Sequence, residues 1–445
     1  MHLYIPNIRV VLERGQAYIM EALAQNKKHR KTATILSIIP GLGQLYNRQK
    51  LKGVLFLLLA VSYFVVFSDL LNIGLWGFFT LGTELPRDHS IFLLVEGIIA
   101  FIVIAIGIGF YLFNLIDAFK NGRKRDEGFA LNSIKEQYHS VIDKGFPYLL
   151  VGPGFFLLIF VVVLPILFML FLAFTNYDLY HSPPAKLVDW VGIENFTDIF
   201  TLEIWRDTFF SVFAWTIVWT FTATTLQIAI GIFLAVILNQ KDLKFKGFIR
   251  TLLILPWAVP AFVSILVFAG MFNDSFGAIN NDILAFFGIG PIPWLTDPMW
   301  TKVAVIFIQT WLGFPFVMAM TTGVLQSIPE ELYEAATVDG ATIMQKFKSI
   351  TFPVIMAATA PILITQYTFN FNNFNVIYLF NEGKPAVSGQ SAGGTDILIS
   401  WIYSLTLKSA QYSKAAAITV LLSLIIIVVA LINFRRTKAF KDEGM

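Results

Sequence analysis

Residues 327–353 read SIPEELYEAATVDGATIMQKFKSITFP, a charged stretch between two apolar runs of membrane-crossing length. Ser327, with Glu330 three residues on, has the spacing of a capping box, so a short helix is expected there, carrying Glu331, Leu332, Tyr333, Glu334, Ala335 and Ala336. Asp339-Gly340 ends it. A second short helix is expected from about Thr342 to Ile350, with Pro353 restarting the chain at the foot of the next span. The product is a helix-turn-helix pressed on a membrane surface. Its small residues Ala335, Ala336, Gly340 and Ala341 admit close backbone approach by a partner, while Glu334 and Asp339 offer carboxylates to basic groups.

The flanking runs set the fold class. Of the 445 residues, 56% are hydrophobic and 14% charged, a balance foreign to soluble domains. A bilayer crossing takes about 20 apolar residues. Eight runs are assigned as spans, at about 53–68, 92–116, 148–174, 209–238, 249–272, 303–325, 354–380 and 415–433, which predicts an all-α integral membrane protein of eight transmembrane helices. With both termini cytoplasmic, 25 of the 32 Lys and Arg residues fall inside, as the positive-inside rule requires. The opposite orientation inverts that ratio.

The net charge of +3 comes from these anchoring residues and gives no sign of nucleic acid. Absence of cysteine removes disulfides, thiolate catalysis and cysteine metal sites, and the five histidines are scattered without ligand spacing. No HExxH, Gly-x-Ser-x-Gly or Walker A sequence occurs, so no catalytic residue, metal site or cofactor is expected and the chain is not itself an ATPase.

Along the chain, residues 1–31 alternate apolar and basic positions as an interfacial helix does, and Thr34 to Tyr46, with Pro40, Gly41 and Gly43, suits a bent re-entrant segment. A boundary near 146 separates an N-terminal region with two transmembrane helices, 1–146, from a six-helix region, 147–445. Pro256 and Pro260, four apart in LPWAVPAF, should open the backbone ladder in mid-membrane.

The last six spans hold no Asp, Glu or His within their apolar runs. Ion-coupled carriers place ionisable groups there, so such a carrier is disfavoured and a neutral cargo is implied. The polar residues are amides instead. Gln366, Asn370 and Asn373 fall on one stripe of span 7 with Phe369 beside them, and span 6 offers Gln309, Trp311 and Phe316 around Pro315. By rise per residue, Asn370 lies roughly 24 Å from the cytoplasmic end of span 7 and Gln309 roughly 9 Å from the external end of span 6, similar depths in a core of about 30 Å. Amides beside flat aromatic faces match a sugar's hydroxyls and C–H face; amides can also simply bond helices together.

Glu334-Ala335-Ala336 and Asp339-Gly340-Ala341, followed at fixed spacing by Phe347, Ile350 and Pro353, resemble the EAA loop of ATP-binding-cassette importer permeases. The resemblance implies a type I (MetI-like) permease core, with a transmembrane type-1 region at about 208–436. It implies that residues 327–353 couple to a cytoplasmic ATPase through Glu334, Ala335, Ala336, Asp339, Gly340 and Ala341. LPWAVPAF, TWLGFPF and TFNFNNF are similar to segments of the larger permease subunit of maltose/maltodextrin importers, with likeness from about Gly247 onward. That similarity implies sugar contacts at Trp257, Gln309, Leu312, Gly313, Phe316, Gln366, Phe369, Asn370 and Asn373. Trp257 and Phe316 stand where the family has tyrosine, and Gln366 where it has serine, and these lost hydroxyls and the bulkier amide leave the saccharide's length and linkage open. The implied partners are a second homologous permease subunit, two ATPase subunits, an extracellular sugar-binding protein and an oligosaccharide, in a bacterial plasma membrane. Another solute, such as another oligosaccharide, a polyol or a glycerol phosphodiester, and a non-transporting membrane scaffold remain the alternatives.

Overall fold

The computed structural model describes residues 28–131, 133–240 and 243–436. The interfacial helix expected over residues 1–31 lies outside the described residues up to 27, as does the basic tail beyond Arg436. Among the described residues, the regular elements are helices, with one isolated bridge between Ala386 and Gly393. Two compact units separate: one ends at Phe171 and includes Tyr180–Trp190, and the other comprises Leu172–Leu179 and the chain from Val191 onward.

In the first unit, α1 (Lys28–Leu36) and α2 (Leu42–Tyr46) precede the long helices α3 (Lys50–Thr80) and α4 (Ser90–Asp126). Thr34 to Tyr46 is indeed bent. Gly41 takes a φ of +90°, open to glycine at little cost, and a Cβ there would strike the Gly53 carbonyl. Asn114 of α4 holds the bend from both sides, accepting from the Gly41 N–H at 3.2 Å and donating to the Ser37 carbonyl at 2.8 Å. Helices α3 and α4 then pack through small residues, Gly77 against Leu93 and Gly97 against Phe78. Next come α5 (Ile134–Leu158), a π turn (Ile159–Val163) and α6 (Leu164–Leu172). Pro165 accounts for the π turn, since its ring crowds the carbonyl four residues back and a widened turn relieves that contact.

The second unit is built on α8 (Glu203–Leu238), which follows the short α7 (Glu194–Thr201), and on α11 (Pro298–Gln326). These two helices run parallel: Lys302 sits 4.8 Å from the ring centre of Trp215, Gly313 meets Gln227, and Gly231 meets Val317. Between them in sequence, α9 (Lys246–Ala258) and α10 (Ala261–Met271) are bent apart by 93° at Val259-Pro260, the break expected of the proline pair. Short elements follow α11, namely α12 (Glu330–Val338) and α13 (Ile343–Lys346), then a π turn (Phe347–Thr351) leading into α14 (Phe352–Phe371). The unit closes with α15 (Phe374–Asn381), α16 (Leu398–Leu407) and α17 (Tyr412–Arg436).

Among the described residues, six helices are long and apolar enough to cross a membrane, and the bent pair α9–α10 makes seven if it is one span. The last run belongs to α17, a helix of 25 residues whose Tyr412–Val428 portion is apolar. Two sequence expectations fail here. Ser327 is the C-cap of α11, its hydroxyl donating to the Val324 carbonyl at 2.8 Å, so no Ser327–Glu330 box forms and Pro329 precedes α12 without a side-chain cap. Nor does Pro353 restart the chain. As at Pro165, the preceding turn widens and the helix runs on from Ile343.

Candidate functional site

The core of the second unit holds two apolar clusters with a polar layer between them. One cluster includes Trp219, Ala223, Ile308 and Val376; the other includes Ile232, Val317 and Leu363. On each supporting element the polar residues fall between members of the two clusters: Thr224 and Gln227 on α8, Gln309 on α11, Asn370 and Asn373 near the α14–α15 junction.

The layer is closed by hydrogen bonds. Gln309 Nε2 donates to Asn370 Oδ1 at 2.7 Å, Asn373 Nδ2 to Gln309 Oε1 at 2.9 Å, and Asn370 Nδ2 to Thr224 Oγ1 at 2.8 Å. Trp219 Nε1 donates to the Asn370 carbonyl at 2.9 Å. Asn370 has 0% exposure, and Gln309 and Asn373 are buried with it. The depth match between Gln309 and Asn370 therefore holds, but the continuous stripe does not. Helix α14 ends at Phe371, and Asn373 reaches Gln309 as the N-cap of α15 with φ −79° and ψ 80°. Asn370 faces inward while its neighbour Phe369 is 64% exposed, so the two do not share a wall within this chain.

The other candidates group separately. Trp257, 56% exposed, meets the Phe316 ring edge-on at 5.9 Å between centres. Gln366 and Leu312 are half-buried. Gly313 faces Gln227, whose amide oxygen a Cβ at Gly313 would strike. Gln227 was not singled out from sequence, nor was Thr224. The available signal was that Gln227 is the one amide side chain between residues 209 and 238.

The charged loop forms a knob. Helix α12 ends in a Schellman motif in which Gly340, φ +74°, donates to the Thr337 carbonyl at 3.0 Å and Ala341 to the Ala336 carbonyl at 2.9 Å. The capping box lies further on, where Thr342 and Gln345 cap each other reciprocally. Tyr333 and Thr351 hydroxyls meet at 2.9 Å and Lys346 donates to Thr337 at 2.7 Å, tying the two short helices together. Glu334, Ala335, Asp339 and Gly340 are exposed and Ala336 and Ala341 half-buried; around them Val338 and Ile343 are 88% and 87% exposed. The knob therefore exposes apolar side chains beside the carboxylates of Glu334 and Asp339.

Several helices long and apolar enough to cross a membrane, with one bent pair among them, define the class as a multi-span membrane protein. The family described as binding-protein-dependent transport system inner membrane component matches residues 227–438. The galactooligosaccharides transport system permease protein GanP of Bacillus subtilis (strain 168) is 64% identical over 94% of this chain and 100% of its own length. The maltodextrin transport system permease protein MdxF of the same organism is 51% identical over 94% and 98%. MalC, the corresponding maltodextrin permease of Streptococcus pneumoniae serotype 4, is 47% identical over 96% and 100%. In fold, the chain is similar to a bacterial ABC transporter involved in the import of the acidic polysaccharide alginate, with a TM-score of 0.56 and 22% identity over 68% of this chain and 99% of that one. The chain belongs to the inner-membrane permease family of binding-protein-dependent ABC sugar transport systems.

Proposed function

We propose that this chain is one permease subunit of an ATP-driven importer of neutral oligosaccharides, pairing with a second homologous permease, two cytoplasmic ATPase subunits and an extracellular sugar-binding protein. Eight spans with both termini cytoplasmic, and a translocating region within 147–445 apart from an N-terminal region at 1–146, belong to the same reading. The observation that carries it is the buried layer of Gln309, Asn370 and Asn373, three amides from facing elements with no ionisable group among them. Trp257, Phe316 and Phe369 supply aromatic surface, and the exposure of Trp257 and Phe369 leaves them for the second permease and the sugar to cover. Leu312, Gly313 and Gln366 complete the proposed contacts. The knob seats in the ATPase through Glu334, Ala335, Ala336, Asp339, Gly340 and Ala341.

Within oligosaccharides, galacto-oligosaccharides form the second reading beside maltodextrins, favoured by the 64% identity to GanP against 51% to MdxF. Tryptophan at 257, phenylalanine at 316 and glutamine at 366 support a departure from the maltodextrin pattern. The test is uptake by the reconstituted complex over maltodextrins, galacto-oligosaccharides, a polyol and a glycerol phosphodiester. Uptake of either oligosaccharide class, with none of the other two solutes, is the expected result; transport of the polyol or phosphodiester alone overturns it.

A further inference from the structure

Gln227 lies on the face of α8 that meets α11, 1% exposed on the relative scale by virtue of its buried side chain, and both its Nε2 and Oε1 are without a hydrogen-bond partner. Buried side-chain amides are nearly always paired, so an orphaned one marks a group with a second role. Its surroundings say which. One turn back on α8, Thr224 accepts from Asn370; one turn back on α11 from Gly313, Gln309 donates to the same Asn370. Because α8 and α11 run parallel, both steps go the same way, from the polar layer toward the cluster of Ile232 and Val317. Glycine at 313 leaves the notch that the amide oxygen occupies.

We infer that Gln227 is a further cargo-positioning residue: its amide bonds saccharide hydroxyls roughly 5 Å, one helical turn, beyond the Gln309–Asn370–Asn373 layer on the way to the cytoplasm. A primary amide donates and accepts, as a hydroxyl does, so one side chain can serve successive sugar rings without choosing an orientation. Asn370 and Gln309 already satisfy each other, and Gln227 supplies unspent bonding capacity at the next level. This rests on the oligosaccharide-importer reading.

The test compares Gln227→Met, which keeps length and removes both polar atoms, with Thr321→Val, which removes another buried, unpaired hydroxyl two turns further along α11. Each is assembled with its partner subunits and reconstituted. The methionine variant should be at least as heat-stable as the wild type, since an unpaired amide is gone, yet its uptake per assembled complex should fall about tenfold, the worth of roughly one hydrogen bond to cargo. ATP hydrolysis driven by the loaded binding protein should persist, so sugar moved per ATP falls. Thr321→Val should keep both stability and uptake. Normal uptake by Gln227→Met overturns the inference, as does a parallel loss of uptake and ATP hydrolysis, which marks a conformational role. If the methionine variant does not assemble, Gln227→Leu takes the same measurements, and failure of both makes the amide structural and also overturns it. A wild-type complex that imports neither oligosaccharide class instead sinks the transport reading itself.

Discussion

At the scale of single residues, Asn370 joins three elements: its side chain bonds α8 and α11 while its carbonyl takes the Trp219 indole. Asn370→Leu strands the Gln309 donor, and an orphaned buried polar group costs about 1–3 kcal/mol. Thermal unfolding of Asn370→Leu, Gln309→Leu and the double variant should show the double losing less than the sum, because one deletion already breaks the shared bond. Phe369→Ala separates packing from cargo contact. As an exposed ring its loss should change stability by no more than about 0.5 kcal/mol, yet lower uptake per assembled complex severalfold. Normal uptake in both Asn370→Leu and Phe369→Ala removes these residues from the sugar path. Residue types and depths were legible in the sequence, since amides in an apolar run stand out. Their pairing was not: it depends on α14 ending at Phe371, a tertiary outcome that helical periodicity does not encode. Asp396, in the loop before α16, carries a pH consequence. Burial pushes its carboxyl above the ordinary range, partly offset by donation from Gly393 N–H and the Ser400 hydroxyl. The folded state then holds a proton that the unfolded state releases, so stability should decline as pH rises from the ordinary aspartate value to the raised one. Unfolding midpoints measured across that window should fall in the wild type and stay flatter in Asp396→Asn.

At the scale of elements, the knob shows what local chemistry can and cannot decide. Gly340 was readable as a helix stop because Asp-Gly favours a left-handed residue, and φ +74° with the 3.0 and 2.9 Å bonds to Thr337 and Ala336 bears it out. The first cap departs from the sequence expectation. Ser327 has the right spacing to Glu330, but α11 extends to Gln326 and claims the serine hydroxyl for its own last turn. Pro353 misled for a related reason, since a proline after a widened turn need not end a helix. Gly340→Pro demands φ near −65° and deletes the N–H bonded to Thr337. No heavy atom lies within 4 Å of a Cβ placed at Gly340, so the damage should stay local to the knob. The variant should remain in the membrane at normal level, with sugar uptake and ATPase co-purification both reduced. Glu334→Lys, at an exposed position, should do the same by reversing charge alone. If both variants transport normally with the ATPase bound, residues 327–353 are not the coupling element.

At the scale of the whole molecule, hydropathy located the helices but understated their length, because α3 and α4 run to 31 and 37 residues, past the apolar runs and into their basic and polar flanks. Charge orients what hydropathy locates. A chain without cysteine permits a direct check, since one introduced thiol is the sole target of a maleimide that cannot cross the bilayer. Glu84→Cys and Ser388→Cys lie at exposed positions in loops assigned outside, and Lys124→Cys and Glu331→Cys at exposed positions assigned inside. The outer pair should label in intact cells and the inner pair only after permeabilisation. Ser388 decides the count. It follows α14–α15 and precedes α17, so labelling there together with protection at Glu331 requires α14–α15 to cross, and the basic residues Arg435 and Arg436 at the end of α17 then need a crossing by α17 to lie inside. A protected Ser388→Cys means that α14–α15 does not cross, which overturns the eight-span arrangement.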